Sequence, residues 1–390
     1  MDPVPPTLSS TRAAGLDRLS GFLPRAGRDY AALRNLDLPG HPHVSTLSPW
    51  LRHRLVTEAE VIDATLRAHP HGAEKFLAEV WWRTYWKGWL ELRPGIWTDY
   101  RQGLQAGLNR LAIEPGLAIR ARAAMLGQTG IDGFDQWVQD LTATGYLHNH
   151  ARMWVASIWI FTLRLPWEVG ADFFLRHLID GDPASNTLSW RWVGGLHTPG
   201  KTYLATADNI ARNTGGRFQP QGLATDAPPL PLSPLPAPRP MPGGDTPDPT
   251  RPSLLLITEE DLSPDDLLGL KPAAVAVLTD VAGRSPLAVA APVHAFTRAA
   301  ISDTLARLGT PDAPRYTDEA AVLAHARSRG LSQIVTPYAP TGPVASRLTT
   351  LARLAPAQGI TVARVLRDHD RDAWPHATHG FFRFRQAVTG

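Results

Sequence analysis

The chain has 390 residues, of which 43% are hydrophobic, so it is long enough for more than one domain and is not globally disordered. It contains no cysteine, which excludes disulfides, thiol catalysis and a cysteine-bound iron–sulfur cluster. The formal net charge is only +3, which is compatible with a local nucleic-acid-binding face but does not require one.

The N-terminal sequence MDPVPPTLSS has an acid and several prolines but no basic, apolar leader. No run of about 18 apolar residues occurs further along the chain. We therefore expect no membrane span and a cytoplasmic location.

A turn rich in hydroxyl side chains follows Tyr30, within VSTLSPWL at residues 44–51. Ser45, Thr46 and Ser48 stand at the start of a predicted helix, where hydroxyls and free backbone N–H groups favour a phosphate. An ordinary helix N-cap has the same pattern. We favour the phosphate site because of the motifs that follow.

Residues 72–92 are predicted to form a helix on which Glu79, Trp82, Arg83 and Trp86 share one face. The alternative is an amphipathic helix with a Glu–Arg pair on its surface, but the aromatic residues on this face argue against full exposure. Further helices are predicted over residues 100–128, 133–143, 147–163 and 172–179.

The stretch TGYLHNHARMWVASIWIFTLRLPWEVGADFFLRHLIDGDPASNTLSWRW at residues 144–192 combines polar and flat aromatic side chains in an unusual way. It sets Arg152, Asp180, Asp182 and Asn186 among apolar residues. Its tryptophans are Trp154, Trp159, Trp167, Trp190 and Trp192. This mixture predicts a site for a flat ligand with polar edges. His148 and His150 are two residues apart, which is poor spacing for a metal on a helix, so we expect no metal.

Residues 220–252 are rich in proline and predict an extended linker, with a ligand for an SH3-type domain as the alternative. Residues 253–390 alternate between apolar strand-like runs and helical runs, which predicts an α/β layer with a parallel sheet. The strands are predicted at 253–258, 273–279, 332–336 and 360–366, and the helices at 293–308, 318–329 and 342–355. No Gly-x-Gly-x-x-Gly follows the first strand, so a dinucleotide site is not indicated.

The segment from Thr144 to Met153, Trp167 and LIDGDPASNTLSWRW at 178–192 resemble the flavin-binding domain of the cryptochrome/photolyase family. VSTLSPWL and Glu79-x-x-Trp82-Arg83 resemble the same domain. Residues 253–390 resemble, more weakly, the α/β domain that normally comes first in this family. The resemblance implies an all-helical FAD-binding domain at 1–219, the linker at 220–252 and a Rossmann-like α/β domain at 253–390, in an order that is circularly permuted.

The resemblance implies FAD as the cofactor. The implied FAD-binding residues are Tyr30, Ser45, Thr46, Ser48, Arg83, Arg152, Asp180, Asp182 and Asn186. Arg152 and Asp180 match an ion pair beside the isoalloxazine ring, and Asn186 matches a residue that faces flavin N5. Trp190 and Trp167 match the first two members of an electron-transfer chain, whose third position, near Glu114, has no tryptophan. An antenna chromophore is left open, because Glu259 and Glu260 stand where the family usually has arginines.

Glu79, Trp82, Asn149, Met153 and Trp192 match the residues that contact the lesion in cyclobutane-dimer photolyases. The implied function is blue-light repair of pyrimidine dimers in DNA by electron transfer from reduced FAD, in a monomeric enzyme. His150 stands where those enzymes usually have arginine. That change and the missing third tryptophan favour the alternative, a cryptochrome-like photoreceptor without repair activity.

Overall fold

The computed structural model describes residues 8–232, 234–264 and 271–390, and it confirms a helical half followed by an α/β half. The prediction that residues 1–10 contain no leader concerns a segment that lies partly outside the described residues. The helices of the first half are α1 Arg12–Phe22, α2 Arg28–Leu33, α3 Ser48–Arg52, α4 Glu58–Ala68, α5 Glu74–Leu92, α6 Gly95–Ile113, α7 Pro115–Leu126, α8 Phe134–Thr144, α9 Asn149–Ser157, α10 Trp167–His177, α11 Pro183–Val193 and α12 Ala207–Asn213.

The region 100–128, which was predicted to be helical, contains two helices, α6 and α7. Pro115 is the first residue of α7, and proline lacks the N–H that would continue a helix through it. Glu114 accordingly leaves the helical conformation, with φ −111° and ψ 89°. The helix predicted at 172–179 begins earlier, at Trp167, directly after Pro166.

The second half contains a parallel five-stranded sheet with the strand order β3-β2-β1-β4-β5. Its strands are β1 Ser253–Ile257, β2 Ala274–Leu278, β3 Arg315–Tyr316, β4 Gln333–Pro337 and β5 Thr361–Val365. Its helices are α13 Ala291–Arg307, α14 Glu319–Ser328, α15 Pro343–Leu354, α16 Asp368–Ala373 and α17 Phe381–Thr389. The Rossmann-like parallel sheet is thus confirmed, and the two-residue strand β3 is an addition to the four strands that were predicted.

Both faces of β1 are buried, as expected for a central strand of a parallel sheet. Leu254 and Leu256 pack in a core with α14 and α15. Leu255 and Ile257 pack in a second core that also contains α1 and α3 from the helical half. The sheet therefore shares a hydrophobic core with the first helices of the chain.

The last two helices of the chain pack against α5 of the helical half. Ala373, Phe381 and Phe384 are buried in the same core as Tyr85 and Trp86. The domain boundaries taken from the sequence stay a prediction, and in space the C-terminal helices cover the helical half.

The Pro-rich segment follows the surface of the helical half and forms neither helix nor strand where the structure describes it. The backbone N–H of Leu230 donates to the carbonyl of Gly194, and that of Arg239 donates to the carbonyl of Leu92. Near its end, the Asp245 carboxylate pairs with Arg364 of β5 at 3.3 Å. In the described part of the chain, no helix is long and apolar enough to cross a membrane.

Candidate functional site

The centre of the candidate site is the turn Asp180-Gly181-Asp182, which joins α10 to α11. Asp182 caps α11, because its Oδ1 accepts a hydrogen bond from the Ser185 N–H at 2.7 Å and Pro183 fits the first helical position. Arg152 on α9 donates from Nη2 to both carboxylate oxygens of Asp180, at 2.9 and 3.1 Å. The ion pair implied by the sequence motif is therefore present.

Both carboxyl groups of this turn are buried, and neighbouring cations keep them ionised. Burial alone would raise the pKa of Asp182, but Lys87, Arg52 and Arg83 lower it to about 2. Burial of Asp180 is likewise opposed, chiefly by Arg152, so that the pKa of its carboxyl falls below the usual value. The turn thus presents two fixed negative charges inside a ring of cations.

Asn186 lies one helical turn after Asp182, and its backbone N–H donates to the Asp182 carbonyl at 2.9 Å. The side-chain Nδ2 donates to the carbonyl of Ala171 at 2.7 Å, and the residue is 8% exposed. This bond fixes the amide plane and leaves Oδ1 to contact a ligand without adding a charge.

The hydroxyl turn lies at the start of α3, and it interacts with the Asp180 turn. The Ser48 hydroxyl helps to lower the pKa of Asp180. The Ser45 hydroxyl accepts from the Leu47 N–H at 3.3 Å. Thr46 has a left-handed backbone, with φ 52°, and its buried Oγ1 has no hydrogen-bond partner in the described residues.

Arg83 on α5 contributes a second buried donor without a partner. Its positive charge lowers the pKa of both Asp180 and Asp182, so it faces the turn. Its Nη1 is buried and makes no hydrogen bond within the described ranges. Unpaired buried donors are costly in proteins. Phosphate and carbonyl oxygens, both of which FAD has, are acceptors that suit donors of this kind.

Tyr30 is buried in an aromatic cluster with Phe22 and Phe76. Its ring meets Phe22 at 5.9 Å and Phe76 at 5.2 Å, both edge-on. It also lines a cavity of about 190 Å³ that is bounded by Arg25, Asp29, Tyr30, Leu33, Pro42 and His43. A contact between Tyr30 and a cofactor stays a prediction.

The residues implied to contact a lesion are present on α5, α9 and α11, but several already have partners. The Glu79 carboxylate is paired with the Arg34 guanidinium. Trp82 stacks on Phe381 of α17, with ring centroids 3.8 Å apart and planes within 8°. Trp192 is partly buried and stacks on Tyr203 at 5.8 Å.

Asn149 is the exposed first residue of α9, and Met153 lies one turn later, partly buried. His150, between them, is held by two hydrogen bonds: its Nδ1 is 3.0 Å from the Asn35 carbonyl and its Nε2 is 3.2 Å from the Tyr203 hydroxyl. The structure thus brings Asn149 and Met153 to one face of α9. It joins Trp82 and Trp192 to different neighbours, and no ring contact links the two in the described chain.

Trp190 and Trp167, the two residues implied to transfer electrons, contact different aromatic side chains. Trp190 meets Trp159 edge-on at 6.2 Å. Trp167 meets Tyr100 at 5.9 Å, and Tyr100 meets Trp97 at 5.1 Å. Trp97 and Tyr100 were not singled out in the sequence analysis. They are three residues apart on α6, which begins at Gly95, so the helical spacing places both rings on one face of this helix.

His148 and His150 both make hydrogen bonds within the protein. His148 is fully buried and caps α9, because its Nδ1 accepts from the His150 N–H at 3.2 Å. Burial lowers the pKa of His148 to about 3. Across the described ranges, no group of three or more His, Cys, Asp or Glu residues could hold a metal ion. The absence of a metal stays a prediction.

Comparison with known proteins gives the stretch from α5 to the start of the Pro-rich segment a clear relative. Residues 76–222 match the family model described as the FAD binding domain of DNA photolyase. The chain is 35% identical over 163 residues to the deoxyribodipyrimidine photo-lyase of Streptomyces griseus, covering 42% of this chain and 34% of that protein. It is 31% identical over 228 residues to the enzyme of the same name from one strain of Thermus thermophilus, covering 57% and 51%.

Two solved structures show a more distant likeness. A cryptochrome of Synechocystis sp. PCC6803 has 23% identity and a TM-score of 0.43, over 52% of this chain and 43% of that one. A class III photolyase from Agrobacterium tumefaciens has 25% identity and a TM-score of 0.43, over 55% and 46%. The chain spans about half or less of the length of the curated relatives named above.

Proposed function

We propose that this chain, whose residues 76–222 are related to the FAD-binding domain of the cryptochrome/photolyase family, binds FAD and repairs cyclobutane pyrimidine dimers in DNA under blue light. The observation that carries the proposal is the Arg152–Asp180 ion pair beside the Asp182–Asn186 turn. A charged pair that is largely removed from water is costly unless it serves a purpose, and the family resemblance implies that this pair would lie beside the flavin.

The chain's own residues would hold the cofactor through charge and hydrogen bonding. Ser45, Thr46 and Arg83 offer hydroxyl and guanidinium donors to phosphate groups, whereas the Ser48 hydroxyl interacts with Asp180 and would help to hold that carboxylate in place. Arg152, Asp180, Asp182 and Asn186 would bind and orient the polar edge of the flavin ring. When bound, reduced FAD supplies the electron that opens the cyclobutane ring after light absorption.

The substrate side of the site would consist of Glu79, Trp82, Asn149, Met153 and Trp192. A base flipped out of DNA needs an aromatic wall to stack on and polar groups for its edge. In this structure, Phe381 stacks on Trp82 and Trp86 contacts the same ring at 5.0 Å, so a base would reach only the ring surface that these two side chains leave open. The Glu79 carboxylate is shared with Arg34, which places a cation beside the proposed base edge.

The first test is whether FAD binding depends on Asp180. We expect the purified protein to bind FAD non-covalently, about one per chain, and Asp180→Ala to weaken binding by about tenfold or more, because Arg152 loses its partner. Glu114→Ala, which breaks the exposed Arg110–Glu114 pair, is the control and should bind FAD normally. Flavin absorbance and fluorescence titration give the measurement. A wild-type protein that takes up no FAD would refute the proposal.

The second test is repair of dimer-containing single-stranded DNA under blue light with pre-reduced protein. Glu79→Ala should lower the repair yield while FAD stays bound, because the change removes a proposed substrate contact and no cofactor contact. Binding should weaken as salt rises, since arginines would neutralise phosphates. Unchanged repair by Glu79→Ala would exclude the proposed role of this carboxylate.

A photoreceptor without repair activity is the second candidate, and the geometry of His150 favours it. Both ring nitrogens of His150 are engaged inside the protein, and burial lowers the pKa of the ring. A neutral, internally bonded imidazole would not supply the positive charge of the arginine that the resemblance implies at this position, and substrate binding would be weaker. Flavin-loaded, reduced wild-type protein that repairs no dimers would favour the photoreceptor.

A further inference from the structure

Glu260 lies in the turn after β1, three residues beyond Ile257, and forms a buried ion pair with Arg52 of the helical half. Its two carboxylate oxygens accept from Arg52 Nη1 and Nη2 at 2.6 and 2.7 Å. Arg52 is 1% exposed and Glu260 is 5% exposed. The carboxyl end of the central strand is therefore joined to the last residue of α3.

The same guanidinium reaches the turn of the candidate cofactor site. Arg52 Nε donates to the Gly181 carbonyl at 2.8 Å and lies 3.9 Å from an Asp182 carboxylate oxygen. Arg52 thus binds Glu260 with one edge and the Asp180–Asp182 turn with the other. A continuous polar connection runs from the sheet to this turn.

Removal of the Glu260 charge would change the position of the Arg52 guanidinium relative to the Asp180–Asp182 turn. Arg52 has two carboxylates within 4 Å, those of Glu260 and Asp182. Without the negative charge of Glu260, Asp182 becomes its nearest anion in a buried setting where charge pairs interact strongly. The guanidinium would be drawn toward Asp182, and its hydrogen bond to Gly181 would be disturbed.

We infer that Glu260, acting through Arg52, is a positioning residue for the Asp180-Gly181-Asp182 turn, so that cofactor binding by the helical half depends on the docked α/β half. This inference rests on the proposed function for the part that concerns FAD. It also explains why an acidic residue stands in the turn after β1, because an arginine at position 260 would face Arg52 with a like charge.

The test compares Glu260→Gln, which keeps the shape and removes the charge, with a matched control. Asp370→Asn removes another buried carboxylate, which pairs with Arg54 at 2.6 Å. The other ion-pair partners of Arg54 are Glu58 and Asp261, and none of the three belongs to the Asp180–Asp182 turn. Glu260→Asp, which keeps the charge on a shorter side chain, is a milder variant in case Glu260→Gln does not fold.

Two readouts separate the inference from the proposed function. Hydrogen exchange in the absence of FAD should be faster across residues 178–188 in Glu260→Gln than in wild type or Asp370→Asn. FAD affinity should fall by roughly tenfold in Glu260→Gln, which is the lower end of the loss seen when a residue that orients a ligand-binding group is removed. In Asp370→Asn the affinity should stay within about twofold of wild type. Wild-type exchange across 178–188 in both glutamate variants would overturn the inference. Failure of the wild type to bind FAD would refute the proposed function while the exchange result still decides the positioning role.

Discussion

Glu259 is buried at the end of β1, and burial together with the charge of Glu260 raises the pKa of its carboxyl to about 7. A carboxyl whose pKa is higher in the folded state holds its proton more tightly there than in the unfolded chain. Its contribution to stability is therefore greatest below the unfolded pKa and declines as pH rises from about 4.5 to 7.

We predict that Glu259→Gln removes this decline. The free energy of unfolding of wild type, relative to that of the variant, should fall by roughly 2–3 kcal/mol between pH 4.5 and pH 8, since each unit of pKa shift corresponds to about 1.4 kcal/mol. Urea titrations of both proteins across this pH range give the difference. A difference that does not change with pH would show that Glu259 titrates normally.

At the scale of single residues, the sequence motif predicted the contacts that lie close together in the chain or follow a family pattern. Arg152–Asp180 and the Asp182–Asn186 spacing are of this kind. The partnership of Arg52 with Glu260 joins residues 208 positions apart. No local pattern encodes such a pair, because it depends on how two separately patterned halves dock.

The C-terminal helix α17 is held to α5 mainly through the aromatic face that begins with Phe381. Phe381 is 4% exposed and stacks on Trp82, whereas its neighbour Phe382 is 81% exposed. Phe381→Ala should lower the free energy of unfolding by about 3–5 kcal/mol, as for other buried phenylalanines. Phe382→Ala is the control and should change it by less than about 0.5 kcal/mol. Equal effects of the two changes would mean that α17 does not dock through Phe381.

At the scale of elements, the periodicity and length of apolar runs were sufficient to predict the long helices and the four main strands. They were insufficient where tertiary contacts decide. The C-terminal segment Phe381–Thr389 is a helix whose apolar side packs on α5, a contact that the pattern of the segment alone does not indicate. β3 has only two residues, Arg315 and Tyr316, and becomes a strand only because β2 offers an edge for pairing.

For the whole molecule, the sequence suggested two domains separated by a linker, whereas the packing joins the halves extensively. Trp50 of α3 meets Phe296 of α13 edge-on at 6.1 Å inside a core that both halves build. The C-terminal helices cover α5, and the buried Arg52–Glu260 and Arg54–Asp370 pairs cross the same boundary. Two of the three hydrophobic cores contain residues of both halves, so removal of either half would expose apolar surface on the other.

We therefore predict that the two halves unfold together in one cooperative transition. Of the 13 tryptophans, all but Trp374 precede the Pro-rich segment, so tryptophan fluorescence reports on the helical half. Because the chain has no cysteine, Thr349→Cys on the exposed side of α15 accepts a single dye that reports on the α/β half. In a shared core, loss of either half exposes apolar surface on the other, so the two signals should change at the same denaturant concentration. Far-UV circular dichroism of the unlabelled wild type controls for the substitution and the dye. Separate midpoints for the two probes would mean that the halves are independent domains and that the shared core adds little to stability.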